Sequence, residues 1–182
     1  MPEYATVPLG DLRQGIETIL NRRDGVDYVQ RLLDEAQRQF GAGYPHMTNF
    51  WDGYDLITAA GGYQLITRPP QEPSLGFLLG GGTVMGDLFA NGARPGTVYL
   101  VGWNTFNIPP NAQDIANGQA SYAYKALHET FHLARQGGYT DEQMARAACT
   151  LDNVPPPNYT SNQIAAWSST FDLHLGAHCP RS

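Results

Sequence analysis

Apolar residues recur at helical spacing between Asp27 and Phe40, where Val29, Leu32, Leu33, Ala36 and Phe40 fall on one side and predict an amphipathic helix. A shorter helix is expected from Asp11 to about Leu20, and Gly41-Ala42-Gly43 stops the longer one. Short apolar runs follow. Leu56-Ile57-Thr58 and Tyr63-Gln64-Leu65-Ile66-Thr67 flank Gly61-Gly62 and predict a hairpin, ended by Arg68-Pro69-Pro70. Thr97-Val98-Tyr99-Leu100-Val101, β-branched and aromatic, predicts a further strand. Helical spacing returns from Ser121 to Arg135, with Ala123, Leu127, Phe131 and Ala134 as its apolar stripe and Gly137-Gly138 as its end. Thr140-Asp141-Glu142-Gln143 fits a capping box and starts a helix running to about Thr150. A last helix, Ser161 to Cys179, carries Ile164, Trp167, Phe171, His174 and His178 along one stripe.

At 182 residues, 42% hydrophobic and 15% charged, the chain has the size and composition of one globular domain. Its 20 Gly and 13 Pro point to long ordered loops rather than to disorder. The net charge of −6, with no basic cluster larger than Arg22-Arg23, argues against nucleic acid as a partner. No apolar run reaches the length of a membrane span, and Met1-Pro2-Glu3-Tyr4 lacks the start of a secretory signal. A soluble protein is expected, its compartment open: an excised domain, a mature fragment or cargo of a signal-less secretion system would look alike. Gly80-Gly81-Gly82 does not fit dinucleotide or P-loop spacing and reads as loop or bulged strand. Cys149 and Cys179 end two predicted helices, which leaves a disulfide or two separate thiols open.

The chemistry is concentrated in His128-Glu129-Thr130-Phe131-His132, an HExxH pattern. Residues four apart on a helix lie one above the other, so both imidazoles reach one metal while Glu129, one step round, reaches a water beside it. A catalytic zinc takes three protein ligands and keeps a fourth position open, so the chain must supply another donor. Asp141 is the preferred one. It opens the helix after the double glycine, where a short turn folds the acid back toward His128 and His132. Acids in a first helical turn are also favoured by the helix dipole alone. Glu142, the pair His174 and His178, and His46 compete as donors, although core-facing histidines are also satisfied by hydrogen bonds. Asn111, Asp114 and Asn117 do not have EF-hand spacing and read as loop and cap residues before calcium ligands.

At His128, Glu129 and His132 the chain resembles the zincins, the HExxH zinc metallopeptidases, and more loosely those with an acidic third ligand. Arg135 and Gly138 stand where the metzincin pattern needs Gly and then His or Asp. Gly138-Tyr139-Thr140-Asp141 is similar to the Gly-Thr-x-Asp element of the aspzincins, in altered order and spacing. Leu127 to Ala148 resembles metallopeptidase-like domains at the C-termini of bacterial Rhs-type and other polymorphic toxins. These resemblances imply an α+β, zincin-like single domain over 1–182. Helices and a small mixed or antiparallel sheet would occupy 1–110, and the HExxH helix, the third-ligand helix and the C-terminal helix 111–182. They imply one Zn2+ per chain held by His128, His132 and Asp141, a protein or peptide substrate, and secretion or delivery to another cell with a cognate inhibitor or immunity protein as partner.

The expected reaction is peptide hydrolysis by metal-activated water, with Glu129 as general base and then proton donor to the leaving amine. Tyr139 is the candidate oxyanion donor, against an ordinary exposed or core role, and Lys125 either lines the cleft or is a solvated helix residue. The strand at 97–101 either pairs with substrate by strand addition or is an ordinary sheet strand. Two further classes stand beside the peptidase: a non-catalytic metal-binding interaction module and a zinc hydrolase acting on a non-peptide amide.

Overall fold

The computed structural model describes residues 6–8, 12–41, 49–66, 81–83, 98–101, 123–132 and 138–180. These are mostly helical, beside a small sheet of strands three or four residues long. In chain order the elements are β1 (Thr6–Pro8), α1 (Leu12–Leu20), α2 (Gly25–Phe40), α3 (Phe50–Ala60), β2 (Tyr63–Ile66), β3 (Gly81–Thr83), β4 (Val98–Val101), α4 (123–130), α5 (Asp141–Leu151) and α6 (Ile164–His178).

Helix α1 buries Leu12, Ile16 and Ile19, and α2 buries Val29, Leu32, Leu33 and Ala36 of its expected stripe together with Tyr28. Phe40 is partly buried against the same core. The tight turn between them requires Gly25, because a Cβ there would stand 2.6 Å from the Leu20 carbonyl oxygen.

Leu56-Ile57-Thr58 is helix and not the first strand of a hairpin. Phe50, Gly53 and Ile57 are the buried positions, three and four apart, a helical period that a three-residue window does not reveal. Asn49 caps this helix by accepting from the Asp52 N–H at 3.0 Å. Gly61 and Gly62 both donate to the Ile57 carbonyl, and Gly62 takes a φ of +75° that turns the chain into β2.

The sheet has the order β1-β2-β4-β3 and is mixed: β1 and β3 are antiparallel to their neighbours, whereas β2 and β4 run parallel. Tyr63 pairs with Val98 and Ile66 with Val101. Strand β4 therefore has a neighbour on each side, which removes it as a site of strand addition; among the described residues the edges are β1 and β3. Gly81–Thr83 is the described part of the glycine-rich stretch and forms strand.

The core continues into α4, where Ala123, Tyr124, Ala126, Leu127, Thr130 and Phe131 are all buried. Phe131 meets Phe171 of α6 edge to face at 5.4 Å between ring centroids and Phe50 of α3 at 5.9 Å. Such aromatic pairs add about 0.5–1.5 kcal/mol beyond area burial. The Thr130 hydroxyl, 2.5 Å from the Ala126 carbonyl, exchanges a 2.6 Å hydrogen bond with the Tyr63 hydroxyl and so ties α4 to β2. Helix α5 packs against both α2 and α6. Among the described residues no helix is long and apolar enough to cross a membrane.

Candidate metal centre

Helix α4 tightens at its end, where the Phe131 and His132 N–H groups donate three residues back, to the His128 and Glu129 carbonyls. The expected end of this helix at Arg135 lies outside the described residues. Beyond 137 the chain returns to the helix it has just left. The Tyr139 N–H donates to the Phe131 carbonyl at 2.8 Å, and the Tyr139 carbonyl accepts from His132 Nδ1 at 2.6 Å. Thr140 then caps α5 with a complete capping box: Gln143 N–H to the Thr140 hydroxyl at 3.1 Å and Thr140 N–H to Gln143 Oε1 at 3.0 Å. Asp141 is the first residue of α5 and is carried straight to the two histidines.

The three donor atoms form a nearly equilateral triangle. Asp141 Oδ1 lies 3.0 Å from His128 Nε2 and 3.2 Å from His132 Nε2, and the two Nε2 atoms are 3.2 Å apart. His128 Nδ1 faces the Asp172 carboxylate at 2.7 Å, while His132 Nδ1 faces the Tyr139 carbonyl. Both partners accept, so each Nδ1 carries a proton, and in the neutral form of each ring the lone pair of Nε2 turns inward. This explains why Asp141 Oδ1, shielded from solvent, receives no hydrogen bond although two ring nitrogens stand within 3.2 Å. Three converging lone pairs in a buried space call for a cation.

The acid-base tendencies show how strongly these atoms attract positive charge. Burial pushes the His128 and His132 rings down, but Asp172 and Asp141 outweigh it at His128, and Asp141 outweighs it at His132, so both are raised above the ordinary imidazole range. Burial pushes Asp141 up, and its contacts with the two rings overturn that and hold it well below the usual carboxylate range. A proton placed among these atoms satisfies them, and so does a metal ion. Glu129 is raised, chiefly by burial and in part against the pull of His132 and His128.

Among the described residues His128, Glu129 and His132 form a group able to hold a metal ion, their ligand atoms all within 4.8 Å of one another. Asp141, outside that group of three, brings its Oδ1 to 3.0 and 3.2 Å from the Nε2 atoms of the two rings. Glu142, one residue beyond Asp141, is held instead by Arg146 at 2.9 Å. No family model, curated protein or solved structure matches the chain.

The other candidate donors lie elsewhere. His174 Nδ1 is 2.5 Å from Asp152, and His178 lies between Asp152 and Asp24. Ile164, at the start of their predicted inward stripe, is 41% exposed. Cys149 and Cys179 are separate buried thiols. Lys125 is half-buried on α4. The Tyr139 side chain is in the core, its hydroxyl shielded from solvent; its backbone is what touches the site. His46, Asn111, Asp114, Asn117, Ala134 and Gly137 lie outside the described residues.

Asp172 is the residue that sequence reasoning missed. It sits beside Phe171 on the predicted last helix, and nothing local marks it, because its partner is 44 positions away. Phe171 packs on the His128 ring with centroids 4.8 Å apart, and the Tyr124 hydroxyl donates to the Asp172 carbonyl at 2.8 Å, which fixes α6 against α4.

Proposed function

We propose that the chain is a zinc-dependent, zincin-like metallopeptidase that holds one Zn2+ through His128, His132 and Asp141. The observation that carries this reading is the triangle of lone-pair atoms with sides of 3.0 to 3.2 Å. Tetrahedral ligands about 2.0–2.1 Å from zinc stand about 3.3–3.4 Å apart, so the three atoms need to open by only a few tenths of an ångström. Two imidazoles and one carboxylate are a donor set that zinc accepts with a fourth position free for water or substrate.

Zinc held there would lower the pKa of water and polarise a carbonyl. The residues supply the rest. Glu129, made more basic by burial, takes the proton from the attacking water and returns it to the leaving amine. Asp172 and the Tyr139 carbonyl fix the two rings in the Nε2 lone-pair tautomer. Because its hydroxyl is shielded, Tyr139 enters this reading through its carbonyl, and stabilising the oxyanion would fall to the metal. The likeness of Leu127 to Ala148 to toxin-associated domains extends the proposal to a delivered bacterial effector with a cognate immunity protein.

Glu129→Gln keeps the shape and removes the basicity. With a peptide that the wild-type chain cleaves, this variant is expected to retain zinc and lower kcat by at least roughly 100-fold. Cleavage at the wild-type rate would exclude the mechanism, and a zinc-loaded wild-type chain that cleaves no member of a broad peptide library would exclude the peptidase.

A further inference from the structure

The connection from α5 to α6 carries the run Val154-Pro155-Pro156-Pro157-Asn158-Tyr159, and residues 154–160 belong to neither helix nor strand. A proline fixes its own φ at about −65° and holds the residue before it in the extended region. Val154, Pro155 and Pro156 each precede a proline, so their backbone is confined to the extended form, which at the two prolines is polyproline II. That form has no internal hydrogen bonds, so its carbonyl oxygens are left to donors from water or from a partner.

Both ends of the run are pinned. Asn153, at a φ of 55°, closes α5 in a Schellman motif, its N–H donating to the Thr150 carbonyl at 3.3 Å and the Val154 N–H to the Cys149 carbonyl at 3.0 Å. At the other end the Thr160 N–H donates to Gln163 Oε1 at 2.8 Å, and the Thr160 carbonyl accepts from the Trp167 indole N–H at 2.9 Å. The buried Trp167 also takes the Tyr159 ring edge to face, with centroids 5.2 Å apart. Between these anchors Val154, Pro155, Pro156, Asn158 and Tyr159 are exposed, and Val154 at 45% and Tyr159 at 37% are among the large hydrophobic side chains left in solvent.

We propose that Pro156-Pro157-Asn158-Tyr159 is a docking motif for a protein module of the WW type, whose aromatic-walled groove takes two successive prolines and, one residue further on, a tyrosine. Polyproline II repeats every three residues, so Pro156 and Tyr159 are spaced by one turn and reach the same side of the ligand. No two prolines of the run are separated by two residues, because Asn158 stands three beyond Pro155, and the Pro-x-x-Pro spacing that SH3 grooves read is therefore missing. A ligand held in its bound form loses little freedom on docking, which is what the pinning at 153–154 and at 160 supplies. Three prolines also stiffen a connection, but stiffening sets no requirement for a tyrosine at 159. None of these residues belongs to the metal centre, and docking here does not depend on zinc.

The test is calorimetric titration of the full chain, without added metal, with an isolated WW domain that binds a free Pro-Pro-x-Tyr peptide in the same buffer. The wild-type chain is expected to bind one domain in the micromolar range. Pro156→Ala, at an exposed position, should weaken binding by at least about tenfold with the circular dichroism spectrum and thermal midpoint unchanged. Tyr159→Ala should weaken it at least as much; if that variant loses its fold along with the Trp167 contact, Pro156→Ala still decides. Asn158→Ala, at the position the motif leaves open, should bind like the wild type. A wild-type chain that does not bind the domain, a Pro156→Ala chain that binds as tightly as the wild type, or equal binding of an SH3 domain would overturn the docking motif.

Discussion

His132 donates from Nδ1 to the backbone carbonyl of Tyr139 across 2.6 Å, a contact that joins the second histidine of the HExxH motif to the residues just before α5. It orients the ring and at the same time fixes the chain two residues before Asp141. The same contact helps to hold Asp141 beside the two rings, 3.0 and 3.2 Å from their Nε2 atoms.

The position of Asp141 leads to a ranking of adjacent acids. Asp141→Asn is expected to weaken zinc binding by about 100-fold or more, because the amide is a poor ligand for zinc. Glu142→Gln should change it little, since that side chain is engaged by Arg146. Competition with a chromophoric chelator reads both. The reverse order would transfer the ligand role to Glu142.

Asp172→Asn keeps the size of the side chain and removes its charge. Partners of this kind on a ligating histidine are worth roughly 10- to 100-fold in metal affinity or activity. The loss expected here is in that range, with the helix content of the variant unchanged by circular dichroism. Unchanged affinity would make the 2.7 Å contact between Asp172 and His128 merely structural.

What the sequence made legible was local. The HExxH spacing, the capping box of Thr140 and Gln143, and the stripe of α2 each lie within a few turns of one helix, so periodicity and cap chemistry reveal them. Asp172 was hidden because its role depends on α6 packing against α4, which no spacing encodes. The strand expected at Leu56 to Thr58 failed for a related reason, since the positions that show the helix, Phe50 and Gly53, lie outside the short apolar run. His174 and His178 shared a helical stripe with Trp167 and Phe171, yet turn to Asp152 at the end of α5 rather than to His128 and His132.

In the proposed centre protons and zinc would compete for the same atoms, which sets the sign of the pH dependence. In the metal-free chain His128 and His132 are raised, so their contribution to stability is present below the ordinary imidazole range and lost as pH rises through their folded values. Asp141 is lowered, so its contribution is present above the ordinary carboxylate range and lost as pH falls through its folded value. Zinc needs all three deprotonated. Its affinity should therefore rise with pH, roughly tenfold per pH unit for each imidazole proton displaced, with protons released on binding. Calorimetry in buffers of different ionisation enthalpy counts them, and zinc binding without proton release on the acid side of neutrality would contradict the assignment.

Metal content is the most direct measurement. After dialysis against a mild chelator, elemental analysis of the wild-type chain is expected to give about one zinc per chain, and the doubly substituted His128→Ala, His132→Ala chain none. A double variant that keeps stoichiometric zinc, or a wild-type chain that takes up none when zinc is supplied, would contradict the account.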